Sequence, residues 1–181
     1  DLLLVLLFVG PNLASTGARL ALPNFPGEDT ALLAVEESPY QWLYVVEQGP
    51  SEDPLRLLKV NEGVDSFQSV WRPREGLLGG GLYYDLFALP AWWTPRATAH
   101  RVAVLGFGAG TTARVLRGAV PPHTTLRVSG IEIDPVAVAL GQRWFDLAPG
   151  DALVVAAGLD GRAGMRLLRE PQDLVLSLIH I

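Results

Sequence analysis

Residues 31–35, 42–46, 55–60 and 66–71 are short apolar runs, separated by Ser38-Pro39, Gly49-Pro50 and Asn61-Glu62-Gly63. Runs of this length, rich in Val, Leu and aromatic residues and bounded by turn formers, predict strands. Together they predict a small antiparallel sheet. A loop rich in Gly and charge follows over residues 72–81, and residues 82–89 predict a short helix before Pro90. Tyr83, Tyr84, Trp92 and Trp93 crowd this connector, where aromatic side chains more often pack than contact ligands.

The texture changes near residue 95. Arg101-Val102-Ala103-Val104-Leu105 runs into Gly106-Phe107-Gly108-Ala109-Gly110, and residues 111–118 have helical composition, stopped by Gly118 and then Pro121-Pro122. A second strand over residues 125–131 leads into Glu132-Ile133-Asp134-Pro135. Asp134 suits the N-cap of a helix running to about residue 145, and Pro135 suits its first position, where no N–H is needed. A third strand at 152–156 precedes Asp160-Gly161-Arg162 and a helix to Arg169, and a fourth apolar run covers residues 174–179. Strands and helices alternating in this way predict a parallel sheet with right-handed crossovers. The expected fold class is α/β, a Rossmann-like parallel sheet incomplete at its C-terminus and preceded by a small antiparallel β domain. The expected divisions are an N-terminal apolar segment and linker over 1–30, a β-hairpin domain over 31–75, a connector over 76–100 and a nucleoside-binding domain over 101–181.

Composition narrows the chemistry. With 49% hydrophobic and 18% charged residues, the 181-residue chain is too apolar to be disordered. The absence of cysteine excludes disulfides, cysteine-ligated zinc, iron–sulfur clusters and thiol nucleophiles. His100, His123 and His180 have no ligand spacing, so no metal is expected. A net charge of -5 without a Lys/Arg block argues against a nucleic-acid partner. Arg162, Arg166 and Arg169 recur at helical spacing and predict a solvated face. The apolar run at residues 2–9 ends at Gly10-Pro11, short of the roughly 20 residues a spanning helix needs. It fits either the tail of a longer span or a buried element. A cytoplasmic location is expected, with attachment to a membrane through a region upstream as the alternative.

Three features fall at successive strand ends. The glycine loop permits close approach of a ligand at a helix N-terminus, where N–H groups and the helix dipole favour anionic or electron-rich groups; tight packing alone is the plainer account. Glu132 is placed to take both hydroxyls of a ribose, or is a surface acid. Asp160-Gly161 adds an acid at the same edge, or caps the next helix. Their order at three consecutive strands argues for a nucleoside ligand. The third glycine comes one residue early for the dinucleotide fingerprint and position 111 is Thr, which disfavours pyrophosphate.

The pattern G-x-G-x-G, Glu, Asp-Gly resembles the S-adenosylmethionine fold of class I methyltransferases. Within that group the chain resembles the spermidine synthase (polyamine aminopropyltransferase) family over roughly residues 31–176. The matches are Ser38-Pro39-Tyr40-Gln41, Leu58-Lys59-Val60-Asn61-Glu62-Gly63, Tyr84, Val104 to Gly110, Ile131-Glu132-Ile133-Asp134-Pro135 and Asp160-Gly161-Arg162. The resemblance implies that Gly106, Gly108 and Gly110 cradle the amino-acid end of an S-adenosyl ligand. Glu132 would hold its ribose, Asp160 with Gly161 would contact adenine, and Gln41 and Tyr84 would line a joint cofactor and amine pocket. The implied co-substrate is S-adenosylmethionine or its decarboxylated form, with no metal, and the partner is a small-molecule amine or other acceptor. A homodimer is left open. Transfer of an aminopropyl group would release methylthioadenosine, with in-line positioning and amine deprotonation supplied by the protein.

Departures from the family matter too. Ala109 stands where an Asp grips the amine of the transferred group, Asp85 where Gln or His follows the tyrosine, Asp65 near a usual Gln, and Leu178 where an Asp would act as base. No catalytic residue is assigned, and the chain as it stands is expected to be inactive. Aminopropyl transfer, methyl transfer and a noncatalytic nucleoside-binding or scaffold role all remain. A Gly108→Val change is expected to fill the ligand's space while sparing the fold.

Overall fold

The structure, a computed structural model, describes residues 30–60, 67–73, 82–89, 99–148, 150 and 153–178. The apolar run at 2–9, the 61–66 connection with Asp65, Trp92, Trp93 and His180 lie outside the described residues. Strands β1 (Thr30–Glu37), β2 (Trp42–Gln48), β3 (Leu55–Val60) and β4 (Phe67–Trp71) form an antiparallel sheet in chain order. Its middle strands carry adjacent buried apolar residues, Leu43 to Val46 in β2 and Leu57-Leu58 in β3, because both faces are covered there. Leu43 and Val45 pair with Val60 and Leu58 and pack on Ala137, Leu140 and Phe145. On the other face, Val46, Leu57 and Val70 meet Tyr84 and Val115.

A 3₁₀ turn over Tyr83–Ala88 occupies the place predicted for the short helix. Beyond it come β5 (Ala99–Leu105), α1 (Thr111–Ala119), β6 (Thr125–Glu132), α2 (Pro135–Trp144), β7 (Leu153–Ala157), α3 (Gly161–Leu167) and β8 (Leu174–Ser177). The four strands are parallel in the order β7-β6-β5-β8. Registers Leu105↔Ile131, Leu105↔Ser177 and Glu132↔Ala157 bring all four carboxyl ends to one edge. The strand order reverses between β5 and β8, and a ligand crevice in an open α/β sheet opens at such a switch point.

Val102, Val104, Phe107, Leu116, Val128 and Val138 form the core of this half. Asp134 caps α2 by accepting from Val136 N at 3.0 Å, and Pro135 follows at the first helical position. No helix among the described residues is long and apolar enough to cross a membrane.

Candidate ligand pocket at the strand switch point

A pocket of about 330 Å³ opens at that edge. Gly106 and Gly108 after β5, Glu132 at the end of β6 with Ile133 after it, and Leu178 after β8 form one side. Tyr40, Gln41, Phe67 and Gln68 from the antiparallel sheet, with Tyr83 and Tyr84 from the 3₁₀ turn, form the other. Five of the residues singled out in the sequence, Gln41, Tyr84, Gly106, Gly108 and Glu132, thus share one cavity.

The glycine loop differs from its expected use. Gly106 N and Phe107 N both donate to Ile131 O at 3.0 and 3.2 Å, and Gly110 N donates to Phe107 O at 3.1 Å. Gly108 N donates to Glu132 Oε2 at 2.7 Å, and Ala109 N to Ser69 Oγ at 2.9 Å. Every N–H from Gly106 to Gly110 therefore has a protein acceptor, so the loop offers none to an anion. The expectation that it attracts anionic groups is corrected on this point.

The expected effect of Gly108→Val is corrected as well. Gly108 has φ 56, and a Cβ there would lie 2.8 Å from Ser69 Oγ and 3.3 Å from Gln68 O. The missing side chain makes room for β4, so a larger residue strikes protein before it reaches the pocket. Gly110, with φ 93 at the α1 N-cap, faces Leu147 and Phe107 and does not line the cavity.

Glu132 is 8% exposed. Besides holding Gly108 N, it accepts from Asp134 N through Oε1 at 3.0 Å. A carboxylate has about four acceptor sites, so each oxygen keeps capacity for one further donor. Tyr84 is 2% exposed and donates its hydroxyl to Gln68 O. Burial, reinforced by a hydrogen bond with Tyr83, pushes this phenol well above its ordinary value. With the hydroxyl committed, Tyr84 offers the pocket its ring, which stacks on Tyr83 at 4.2 Å between centroids. Gln41 Oε1 accepts from Gln68 Nε2 at 3.1 Å.

Asp160 and Gly161 lie outside the pocket lining. Asp160 caps α3, its Oδ1 accepting from Arg162 N at 3.0 Å and Ala163 N at 3.4 Å. Ala109 is also outside the lining, buried in the cluster that contains Leu43 and Ala137. Leu178 lines the pocket, where the resemblance would have an acid. Among the described residues no three His, Asp or Glu side chains group to hold a metal.

Gln68, Phe67, Tyr40, Tyr83 and Ile133 were not foreseen as lining residues. The one available signal was Gln68 itself, an amide inside an otherwise strand-forming run. Ser69 and Thr111 also gave no pattern, yet they clamp the loop to β4. Thr111 Oγ1 accepts from Val70 N at 2.8 Å and donates to Val70 O at 2.9 Å. A side chain thus satisfies backbone groups on an edge strand that would otherwise invite another strand. Farther along, Trp71 donates to Asp146 Oδ2 at 2.7 Å and lies beneath the guanidinium groups of Arg56, at 4.3 Å, and Arg114, at 5.4 Å. Arg56 also pairs with Glu47 and donates to Trp144 O, tying the two halves together.

No family model and no curated protein matches the chain. Among solved structures, a probable spermidine synthase from Corynebacterium glutamicum ATCC 13032 is similar, with a TM-score of 0.58 at 18% identity over 80% of this chain. The match covers 50% of that protein, so the chain spans half its length. At this identity the likeness is one of fold: the chain has a Rossmann-like α/β sheet with a small antiparallel sheet before it, an architecture similar to that of the probable spermidine synthase.

Proposed function

We propose that the chain binds an S-adenosyl ligand in the pocket between its two sheets, as a spermidine synthase-like protein. The observation that carries this reading is Glu132, a buried carboxylate at the end of β6, braced by two backbone N–H groups and open to the cavity. Its two spare acceptor sites suit vicinal ribose hydroxyls. The absence of a free N–H in the glycine loop disfavours pyrophosphate, so a dinucleotide fits poorly. Among the described residues no Lys, Arg or His lines the cavity, and its tyrosine rings suit a sulfonium cation. A volume of about 330 Å³ lies within the usual range for small-molecule sites.

Aminopropyl transfer is the leading reaction, supported by the shared architecture and by Gln41 and Tyr84 in one cavity. In that reaction a neutral amine nitrogen attacks the carbon beside the sulfonium, a C–N bond forms, the C–S bond breaks with its electron pair going to sulfur to release methylthioadenosine, and the ammonium so formed gives its excess proton to water. Glu132 would hold the ribose, Gln41 and Gln68 would offer amide groups, and the aromatic wall would exclude water. One observation favours a second reading. Glu132 is the sole carboxylate in the described lining, while Leu178 occupies the place of an acid. That arrangement suits methyl transfer from S-adenosylmethionine, or nucleoside binding without transfer, better than recognition of a polyamine.

Calorimetry with S-adenosylmethionine, its decarboxylated form and NAD separates these readings. Binding of either S-adenosyl ligand without NAD binding is expected. Preference for the decarboxylated ligand supports aminopropyl transfer, and preference for S-adenosylmethionine supports methyl transfer. Failure to bind either contradicts the proposal.

A further inference from the structure

We infer that Asp134 is a positioning residue for this pocket: its buried carboxylate fixes which way the amide of Gln41 faces, and through Gln41 that of Gln68. The binding half of the inference rests on the S-adenosyl reading above. Asp134 is 0% exposed and does not line the cavity. Only one of its oxygens is needed as the α2 cap. The other, Oδ2, reaches the antiparallel sheet, accepting from Ser38 Oγ at 2.7 Å and from Gln41 Nε2 at 3.1 Å.

Complete burial of a carboxylate is tolerated when its acceptor sites are filled by donors, and Ser38 and Gln41 fill them here. A carboxylate accepts, whereas an amide has one donating and one accepting end. Gln41 must therefore turn its NH₂ to Asp134, leaving Oε1 for Gln68 Nε2 at 3.1 Å. The turn before β2 is closed by the same hydroxyl, since Ser38 Oγ accepts from Tyr40 N at 3.2 Å and Gln41 N at 3.1 Å. One buried oxygen thus anchors Ser38 and Gln41 together, and sets the polarity of two glutamines on the pocket wall.

The test uses Asp134→Asn, because Asn caps helices about as well as Asp but can present NH₂ where Oδ2 stood. Thermal melting, side-chain amide NMR of the unliganded chain, and calorimetry with S-adenosylmethionine and its decarboxylated form are the readouts. Expected are a near-native melting temperature, displaced Gln41 amide resonances, and about tenfold weaker binding, the size of one well-placed hydrogen bond. In a Gln41→Ala background the same change should alter affinity by less than about twofold, because sites acting through one contact are not additive. Unmoved Gln41 resonances, or an equal affinity loss without Gln41, would overturn the inference. If the wild-type chain binds neither probe, the functional reading fails and the amide spectrum alone decides the orientation claim. Should Asp134→Asn not fold, Asp134→Ser keeps a capping hydroxyl and removes Oδ2; Gln41 resonances at exposed-amide positions support the inference, and native positions refute it.

Discussion

Two strand ends in this protein read alike in sequence and do different work. After β5 the chain turns through Gly106-Phe107-Gly108-Ala109-Gly110, and after β7 through Gly158, Asp160 and Gly161. Both join a strand to a helix at the same edge of the parallel sheet. The first loop is roofed by β4: Ser69 takes the N–H of Ala109, Thr111 takes both backbone groups of Val70, and Gly108 lacks a side chain where β4 crosses. Among the described residues no side chain from another element hydrogen-bonds to the second loop. Asp160 is exposed and serves its own helix. A glycine and an acid at a strand end are thus insufficient to make this pocket; a second layer must close over them.

Breaking the roof should cost most. Gly108→Val forces a β-branched residue to φ 56 with its Cβ 2.8 Å from Ser69 Oγ, so a stability loss on the order of 3 kcal/mol is expected in urea denaturation. A variant as stable as wild type would show that the loop is not pinned by β4. Thr111→Val keeps the shape but leaves Val70 N–H and C=O without their side-chain partner, at a cost of about 2 kcal/mol for unmet buried groups. Thr111→Ser should recover most of it.

Tyr84 supplies a pH-dependent version of the same contact. Its phenol is pushed upward in the folded chain by burial, so the unfolded state loses a proton near pH 10 while the folded state keeps it. The contribution is fully present below about pH 10 and falls as pH rises, by about 1.4 kcal/mol at pH 11. Tyr84→Phe should flatten that part of the alkaline unfolding curve. At the uncovered loop, Asp160→Ala loses only an exposed cap, and about 1 kcal/mol or less is expected from thermal melting. A larger loss there than for Thr111→Val would reverse the contrast between the loops.

Local chemistry was the legible part. Turn residues marked the four strands of the antiparallel sheet, Asp134-Pro135 marked the start of α2, and alternating strands and helices announced the parallel sheet. The cavity was only partly legible because its far wall is nonlocal. Gln68 gains meaning from Gln41 in the turn before β2, and Thr111 from Val70, and neither pairing leaves a period or spacing in the chain. The same limit explains the glycine loop. Its N–H groups read as free ligands for an anion, but four of the five find acceptors in Ile131, Glu132 and Ser69, and the fifth, Gly110 N, in Phe107 O. Ala109 shows the converse, since the position where the resemblance puts an amine-gripping Asp is filled by packing against Leu43 and Ala137.

Equilibrium binding of S-adenosylmethionine and its decarboxylated form to wild type and Glu132→Gln tests the central claim most directly. Glutamine is the better choice than alanine because its one carbonyl oxygen keeps an acceptor for either Gly108 N or Asp134 N, where alanine keeps none, and a thermal melt of the variant measures the folding cost of the other N–H separately from binding. The wild-type chain should bind at one site, and Glu132→Gln should weaken binding by about tenfold or more, the scale of a hydrogen bond to a charged group. Equal affinity in the two proteins would contradict the account.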